Sequence, residues 1–580
     1  MSIILQIASS RSRKWLALAS VIALVPVGFA FLLYPEWYLI SPAFIDNWIY
    51  WGTGESKKYT EHFFSDTYYF RRWTVIFPYL AANWLSIDGV LALAVIASLQ
   101  LWSLSVASFW LLMAATKERI TIAAVGTMVI TANPATIVHI GNGYHTWGSL
   151  FFLVVALALA FSSRTQRVGD IFRVLAGFSA GLSMISYPLM GLYLPVLVGA
   201  LVAGYLRQNH NFRRPFWISL CFLGLGFAFA VVLDLMVGLL YGQGWPDFVT
   251  YSLSVGSGLA ESGDWGIDAS SLFTLLLTSG FSPLPMLVLC SSGAALLWIS
   301  GSRSSLVRLV PGAWVTFAAF FGMSFLGGNP LFVTHFSVVL FFVLSLLSVL
   351  MIDNVLEGID LKNHRSLSFA GVSLVGVLLL SPVSLPSAVT WAVVLLLIVG
   401  GTLLALKKRI KDAEPVRSPL TSILILSLSL GVVFTTVSTS LTMSGGQGFI
   451  LPPGFDSASN FMKQVERDVT LINEVHEETD ARVWIQDNRE WPGWSPVISS
   501  FYGLYSAVSV VRNPETLDCS QVKWILDRGK AAIVVFDDDN EEVLNSSRMI
   551  ELFEECERVD VENLTTSLRG DVLILGVARG

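Results

Sequence analysis

Long apolar runs, broken by short polar segments, fill the first three quarters of the chain. A helix that crosses a bilayer needs about 20 mostly apolar residues, and these runs approach or exceed that length. They predict 13 transmembrane helices, at residues 15–34, 89–115, 119–138, 147–162, 172–187, 189–206, 216–241, 271–299, 309–326, 333–352, 367–381, 386–406 and 419–442. The pattern is typical of a polytopic α-helical membrane protein.

The segment between the first two runs, residues 35–88, is aromatic, polar and charged. Within it, residues 73–87 form a moderately apolar stretch of 15 residues, which is short for a bilayer crossing. A helix that lies along the membrane interface suits this length and composition better. We therefore expect one long loop, 35–88, that carries a juxtamembrane helix.

The pattern changes after residue 443. A linker signature, Gly445–Gly446 and Pro452–Pro453, precedes short β-rich runs at 481–486, 507–511, 531–536 and 571–577. Helical patterns lie around them at about 456–478, 519–529 and 545–557. The sequence therefore predicts two domains, a transmembrane domain at 1–443 and a small α/β domain at 444–580.

Composition confirms the membrane assignment. Hydrophobic residues make up 54% of the chain, charged residues only 13%, and the mean hydropathy is +0.65. A soluble domain carries about 25% charged residues, so a soluble enzyme is excluded and membrane lipids are expected partners. No basic low-complexity arm is present, which argues against nucleic acid as a partner.

Charge predicts the orientation. Residues 444–580 hold 24 acidic and 12 basic residues, a net of −12, while the remainder holds 18 acidic and 24 basic residues, a net of +6. Basic clusters such as Arg11/Arg13/Lys14 and Lys407–Arg409 fall at alternate ends of the predicted helices, as expected for cytoplasmic flanks. This places the N-terminus in the cytoplasm and the α/β domain in the periplasm, with the chain in a bacterial inner membrane.

The loop 35–88 holds the first candidates for chemistry. Asp46 follows the first helix among aromatic residues, where a carboxylate can take a proton from an acceptor hydroxyl, or can be a plain solvated acid or a helix N-cap. Further on, Arg71 and Arg72 break the positive-inside trend. Their guanidinium groups suit phosphate oxygens, although anchoring to lipid head groups explains either residue equally well.

Two histidines on the same side of the membrane add to this set. The second outer loop, about 139–146, places glycines around Tyr144 and His145, and His145 can position a carboxylate, bind substrate or ligate a metal. His335 is expected about one turn inside the helix at 333–352, where it lines a cavity or bonds to a neighbouring helix. The P-loop, HExxH and GxSxG patterns are absent.

The order of these segments resembles the GT-C class of polyprenyl-phosphate-sugar-dependent glycosyltransferases, the group that includes protein O-mannosyltransferases and the lipid A aminoarabinose transferase. The resemblance is carried by an early acid, a tyrosine-rich turn with paired arginines, an interfacial helix and the entry to the second span: Asp46, Tyr68-Tyr69-Phe70-Arg71-Arg72-Trp73, Pro78-Tyr79-Leu80 and residues 84–89. The likeness in topology extends over about 1–350.

The resemblance implies roles for these residues. Asp46 matches the catalytic acid of the class, and Arg71 or Arg72, with His335, match groups that hold the donor phosphate. Tyr68, Tyr69, Tyr144 and His145 are expected to contact substrate. Many members carry a second acid in the second outer loop, where this chain has Asn142, Tyr144 and His145. This departure leaves the need for a divalent metal open, and no cofactor is assigned.

The implied activity is transfer of a sugar from a polyprenyl-phosphate donor to a glycan, lipid or protein acceptor outside the cytoplasm. Two other readings stay open. One is a transporter or flippase of lipid-linked glycans, favoured by the number of spans. The other is a glycan polymerase or ligase, which is expected to carry arginines in a large later loop, and residues 242–270 contain none.

Overall fold

The computed structural model describes the chain in segments. These are residues 10–33, 36–40, 47, 50–51, 72–87, 89–116, 118–143, 145–162, 166–208, 216–240, 287, 290–291, 293–294, 297, 304–326, 334–358, 460–461, 463–465, 467, 474, 482–487, 509–510, 531–536, 564–569 and 572–577. Every structural statement below refers to these residues.

The described part of the membrane region is helical. Its α-helices are α1 (Ser10–Leu33), α2 (Trp73–Trp84), α3 (Gly89–Ala115), α4 (Ile120–Thr131), α5 (Pro134–Gly141), α6 (Thr146–Phe161), α7 (Gln166–Ser186), α8 (Leu194–Gln208), α9 (Phe216–Leu240), α10 (Leu309–Leu326) and α11 (Thr334–Gly358). Short 3₁₀ helices precede two of them, Pro188–Tyr193 before α8 and Ser305–Arg308 before α10.

Five stretches of the described residues are long and apolar enough to cross a membrane, by length and composition. They are Trp15–Leu32, Gly89–Ala115, Pro188–Leu206, Phe216–Leu239 and Ser305–Met323. Two shorter apolar helices, Thr146–Phe161 and Val338–Met351, accompany them. The chain is therefore a multi-pass membrane protein, as the hydrophobic pattern predicts.

Most predicted helices that fall on described residues are confirmed to within a few residues, including the juxtamembrane helix α2. The span predicted at 119–138 is wrong in one respect, because it is two helices, α4 and α5, separated by Ala132 and Asn133. Pro134 accounts for the break, since proline lacks the N–H that a continuing helix needs and disfavours helical geometry in the residue before it. Pro134 instead takes the first position of α5, where proline is well tolerated.

The remaining predicted spans are only partly described. In the span at 271–299, residues 287, 290, 291, 293, 294 and 297 are helical. The three spans predicted at 367–381, 386–406 and 419–442 lie outside the described residues. The predicted total of 13 stays a prediction.

Glycines let several described helices pack in backbone contact. A Cβ atom on Gly177 of α7 would overlap the carbonyl oxygen of Leu223 on α9, and one on Gly226 of α9 would overlap that of Val174 on α7. Small residues at such crossings allow the close helix approach that is common in membrane proteins. Helices α7 and α9 therefore form a tightly packed part of the bundle.

The tail contains a five-stranded sheet. Its strands are β1 (Arg482–Asp487), β2 (Ser509–Val510), β3 (Ala531–Phe536), β4 (Leu564–Arg569) and β5 (Val572–Val577), in the order β2-β1-β3-β5-β4. β1 is parallel to both β2 and β3, while β5 is antiparallel to β3 and β4. All four predicted strands are confirmed.

The sequence analysis missed β4. Its residues, LTTSLR, are mostly polar and give little hydrophobic signal, although only two residues, Gly570 and Asp571, separate it from β5 in the antiparallel pair. A two-residue link of this kind is a hairpin signal. The helices predicted at 519–529 and 545–557 lie outside the described residues, whereas the described residues between 460 and 474 are helical.

Contacts divide the chain into two compact units. Unit 1 comprises Met1–Trp37, Ala97–Gly141 and His145–Gln447. Unit 2 comprises Tyr38–Ile96, Asn142–Tyr144 and Gly448–Gly580. Unit 2 thus holds most of the loop 35–88 together with three residues of the second outer loop.

Candidate active site

The structure describes only some of the predicted site residues. Asp46, Tyr68, Tyr69, Arg71 and Tyr144 lie outside the described residues. Arg72 and His145 are described with their side chains. His335 lies in helix α11, whose described part begins at Thr334, so its depth of about one turn inside the helix stays a prediction. The side chain of His335 also lies outside the description.

Arg72 is a buried cation in unit 2. Only 3% of it is exposed, its Nη1 donates a hydrogen bond to the Tyr50 hydroxyl, and its guanidinium carbon lies 5.9 Å from the centre of the Tyr50 ring. Tyr50 is itself fully buried. Because arginine keeps its charge when it leaves water, this site is a permanent positive charge in a poorly solvated place.

The backbone around Arg72 strengthens the positive potential. Arg72 is the residue that precedes α2, and its carbonyl accepts hydrogen bonds from the backbone N–H groups of Val75, at 2.8 Å, and Ile76, at 3.2 Å. Its side chain makes no capping hydrogen bond to the helix. The positive end of the α2 dipole therefore adds to the guanidinium charge, and the pair suits an anion such as phosphate.

Tyr50 belongs to a buried helical face that the sequence analysis did not select. Asn47, Tyr50 and Trp51 are helical and are 1%, 0% and 1% exposed. Their spacing of three and four residues places them on one side of a helix. Among the described residues, nothing donates a hydrogen bond to Asn47 Oδ1. A polar and aromatic pattern at helical spacing, directly after Asp46, is the signal that identifies them.

Helix α2 also contacts the second outer loop within unit 2. The Tyr79 hydroxyl donates to the carbonyl oxygen of Gly143 at 3.4 Å. Gly143 has a φ of +70°, and a Cβ atom there would overlap the Tyr79 hydroxyl, so only glycine fits. Burial raises the pKa of Tyr79 well above its usual value, which keeps the phenol neutral and able to donate.

Arg72 and the Tyr79–Gly143 contact lie at two different points along α2. Arg72 and Tyr79 are seven residues apart on and beside α2, which corresponds to about 10 Å along the helix. Asn142, beside Gly143, is buried as well. The structure thus brings two predicted segments, the Arg72 turn and the Asn142–Gly143 turn, to one helix.

His145 lies in unit 1 and has different surroundings. It is fully buried and stacks on Tyr187, with ring centroids 3.8 Å apart and ring planes 7° apart. Its Nδ1 is 3.5 Å from the Ser149 hydroxyl, one turn further along α6. Ser183 of α7 donates to the Ser149 carbonyl at 2.8 Å. His145 is therefore packed between α6 and the Tyr187 turn that follows α7.

The described residues contain no group of three or more His, Cys, Asp or Glu side chains that could hold a metal ion. His145, the residue that the sequence analysis offers as a possible metal ligand, is described and belongs to no such group. Metal dependence therefore stays open.

Known proteins offer a structural likeness but no sequence match. No protein-family model and no curated protein sequence matches the chain. A crystal structure of ArnT, the lipid A aminoarabinose transferase, from Cupriavidus metallidurans bound to undecaprenyl phosphate matches with 12% identity and a TM-score of 0.42, covering 98% of each chain.

The archaeal oligosaccharyltransferase AglB from Archaeoglobus fulgidus, in complex with an inhibitory peptide and a dolichol-phosphate, is also similar. Its identity is 14% and its TM-score 0.40, over 91% of this chain and 70% of that one. Both neighbours are GT-C enzymes, the class that the sequence resembles. A likeness at this level assigns neither a substrate nor a reaction.

Proposed function

We propose that the chain is an integral-membrane glycosyltransferase that moves a sugar from a polyprenyl-phosphate donor to a glycan, lipid or protein acceptor outside the cytoplasm. The observation that carries the proposal is the buried guanidinium of Arg72, held by Tyr50 at the positive end of α2. A buried cation beside a helix N-terminus attracts anions, and a lipid-borne phosphate is an anion that a membrane protein meets.

The same charge suits the reaction. As the bond between the anomeric carbon and the phosphate oxygen breaks, negative charge grows on the phosphate, which becomes the leaving group. A fixed positive charge in a poorly solvated place stabilises that transition state without rearranging. Arg72 supplies it, and Arg71 and His335 are proposed as further ligands of the donor phosphate. Because the lipid phosphate leaves, the reaction needs no nucleotide.

Asp46 is proposed as the general base. It would take the proton of the acceptor hydroxyl as that oxygen attacks the anomeric carbon. Its neighbour in sequence, Asn47, is buried with an acceptor oxygen that no described group satisfies. A hydroxyl of the bound sugar can donate to this oxygen. Tyr68, Tyr69, Tyr144 and His145 complete the proposed substrate contacts.

The proposal includes a location. The chain lies in a bacterial inner membrane with its N-terminus in the cytoplasm, and the loop 35–88 and the tail sheet face the periplasm. This orientation follows from the distribution of basic flanks and places Asp46 and Arg72 on the side where acceptors are found.

The test is transfer by the purified full-length protein. The protein is incubated with a panel of polyprenyl-phosphate sugars, and release of the free polyprenyl phosphate is measured. Undecaprenyl phosphate, the ligand of the ArnT structure, gives the first lipid for the panel. We expect one sugar to be consumed, and Asp46→Asn to slow its transfer by about 10²–10⁴-fold, the usual contribution of a general base.

Asp66→Asn in the same loop is the matched control and is expected to keep near-normal turnover. Normal transfer by a folded Asp46→Asn protein would end the catalytic assignment. Binding of the donor without any consumption, together with movement of the lipid across vesicle membranes, would support the flippase reading instead.

A further inference from the structure

An apolar groove runs along the surface between α8 and α10, two helices of unit 1. It has a volume of about 570 Å³, within the roughly 300–1,000 Å³ usual for ligand sites. Its walls include Leu194, Val198 and Val202 from α8, and Pro311 and Val315 from α10. None of these residues belongs to the proposed active site.

The two helices are held together by close backbone contacts. A Cβ atom on Gly312 would overlap the carbonyl oxygen of Pro195, and one on Gly199 would lie 3.0 Å from the carbonyl oxygen of Arg308. The Thr316 hydroxyl donates to the Leu192 carbonyl at 2.8 Å. Residues 308, 312 and 316 thus contact residues 199, 195 and 192, in that order. The two helices are therefore antiparallel, and the groove between them is fixed in shape.

The groove opens toward the surroundings of the helices. Val315 is 55% exposed and Leu194 is 39% exposed, and both belong to stretches long and apolar enough to cross a membrane. From Leu194 to Val202 the wall covers eight residue steps, about 12 Å of helix. That length is close to one leaflet of hydrocarbon, about half of the 30 Å bilayer core. The groove therefore matches the length of a single leaflet.

An arginine lines one end of the groove. Arg308 is exposed and lines the end away from Leu194, because its carbonyl faces Gly199 while Gly312 faces Pro195. An apolar channel that an arginine lines at one end is complementary to a molecule with an apolar chain and an anionic head. Basic sites between membrane helices on the cytoplasmic side bind anionic lipid head groups in this way.

We propose that this groove binds one anionic phospholipid, with an acyl chain between α8 and α10 and its phosphate on Arg308. Arg308 belongs to a flank that the charge pattern places in the cytoplasm, so the lipid would come from the inner leaflet. The groove shares no residue with the proposed donor site, and the proposal does not depend on the glycosyltransferase activity.

The experiment counts bound lipids. The full-length protein is delipidated in detergent, titrated with phosphatidylglycerol or phosphatidylcholine of the same chain length, and analysed by native mass spectrometry. We expect one tightly bound phosphatidylglycerol, preferred over phosphatidylcholine. Arg308→Gln should lower the affinity for phosphatidylglycerol about fivefold, which is the effect of one basic residue near an anionic lipid.

Further variants separate the contribution of the lipid head group from that of the acyl chain. Val315→Trp fills the groove and should remove tight binding of both lipids, whereas Val232→Trp, on a similarly exposed valine of α9, should leave it unchanged. Arg119→Gln changes an arginine that precedes α4 and should also have no effect. Arg308→Lys should keep part of the preference for phosphatidylglycerol over phosphatidylcholine, because lysine keeps the positive charge.

Three results with the two phospholipids would each overturn the proposal. These are equal binding of the two phospholipids by the unaltered protein, retained preference in Arg308→Gln, and undisturbed binding in Val315→Trp. Displacement of phosphatidylglycerol from this groove by a lower concentration of undecaprenyl phosphate would also overturn it, because the groove would then belong to the polyprenyl lipid. Thermal unfolding of each variant establishes that the protein remains folded.

Discussion

Arg72 and His145 are both loop residues, both are buried, and they differ in what their neighbours provide. His145 has a flat aromatic partner in Tyr187 at 3.8 Å and a hydroxyl from Ser149. A histidine can also lose its charge to suit a buried place. Arg72 cannot, and it meets the hydroxyl and ring of Tyr50 beside the positive end of a helix.

The difference between these surroundings indicates which of the two residues is the better candidate for binding a ligand. A stacked ring is stabilised by the packing around it, so burial of His145 is compatible with a structural role and with a contact to substrate. A permanent charge next to a helix N-terminus is stabilised best by an anion. Burial is therefore a stronger functional signal for Arg72 than for His145.

The largest expected effect comes from Arg72. Arg72→Gln keeps a hydrogen-bond donor for Tyr50 but removes the charge, and should lower kcat/KM for sugar transfer by about 10²–10³-fold, the usual loss for one electrostatic group at a developing anion. Steady-state kinetics over a range of donor concentrations measure it. Arg119→Gln is the control, and unchanged kinetics in Arg72→Gln would show that the two buried residues do not differ in the way described.

Tyr50→Phe should have the next largest effect. It removes the hydroxyl that accepts from Arg72 Nη1 and keeps the ring beneath the guanidinium. Hydrogen bonds to charged groups contribute about 1.5–3 kcal/mol, so we expect a loss of transfer of roughly 10–100-fold and a loss of unfolding free energy of similar size. Removal of the corresponding hydroxyl beside His145, by Tyr187→Phe, keeps the stack and should change transfer much less.

The smallest effect on transfer is expected at His145. His145→Ala removes the ring from its stack and should cost about 3 kcal/mol of unfolding free energy, as for other buried aromatic truncations, while transfer per folded molecule falls less than tenfold. Denaturant titration in detergent and kinetics on the folded fraction separate the two. His145→Phe keeps the stack and should recover most of the stability. A loss of transfer as large as that in Arg72→Gln would place His145 in the chemistry.

The sequence predicted the membrane helices well because their signal is strong and local. Apolar runs of transmembrane length need no knowledge of the rest of the fold. The α4–α5 break was missed although Pro134 was visible, because hydropathy averages over the two residues where the chain departs from the helix. Strand β4 was missed for the opposite reason, since its partner β5 and not its own composition holds it in the sheet.

The candidate site was predictable in part. Arg72 attracts attention in the sequence because a cation in that loop breaks the charge trend. Tyr50, which holds it, lies 22 residues earlier, and no local pattern connects the two. The contact between Tyr79 and Gly143 spans 64 residues and is equally invisible, although the glycine itself is a hint of an unusual backbone. Pairings across such distances depend on the whole fold.

The strand order of the tail has a practical consequence for shortened chains. β5 is the last strand in sequence, but it lies inside the sheet, between β3 and β4. A protein that stops at Gly570 would lose one strand and two of the four pairings, leaving β4 without its neighbour in the described sheet and β3 with an open edge. Unpaired edges recruit strands from other molecules. Loss of residues 571–580 would thus turn the apolar strand β3 from an inner strand into an edge strand of the described sheet, which favours self-association.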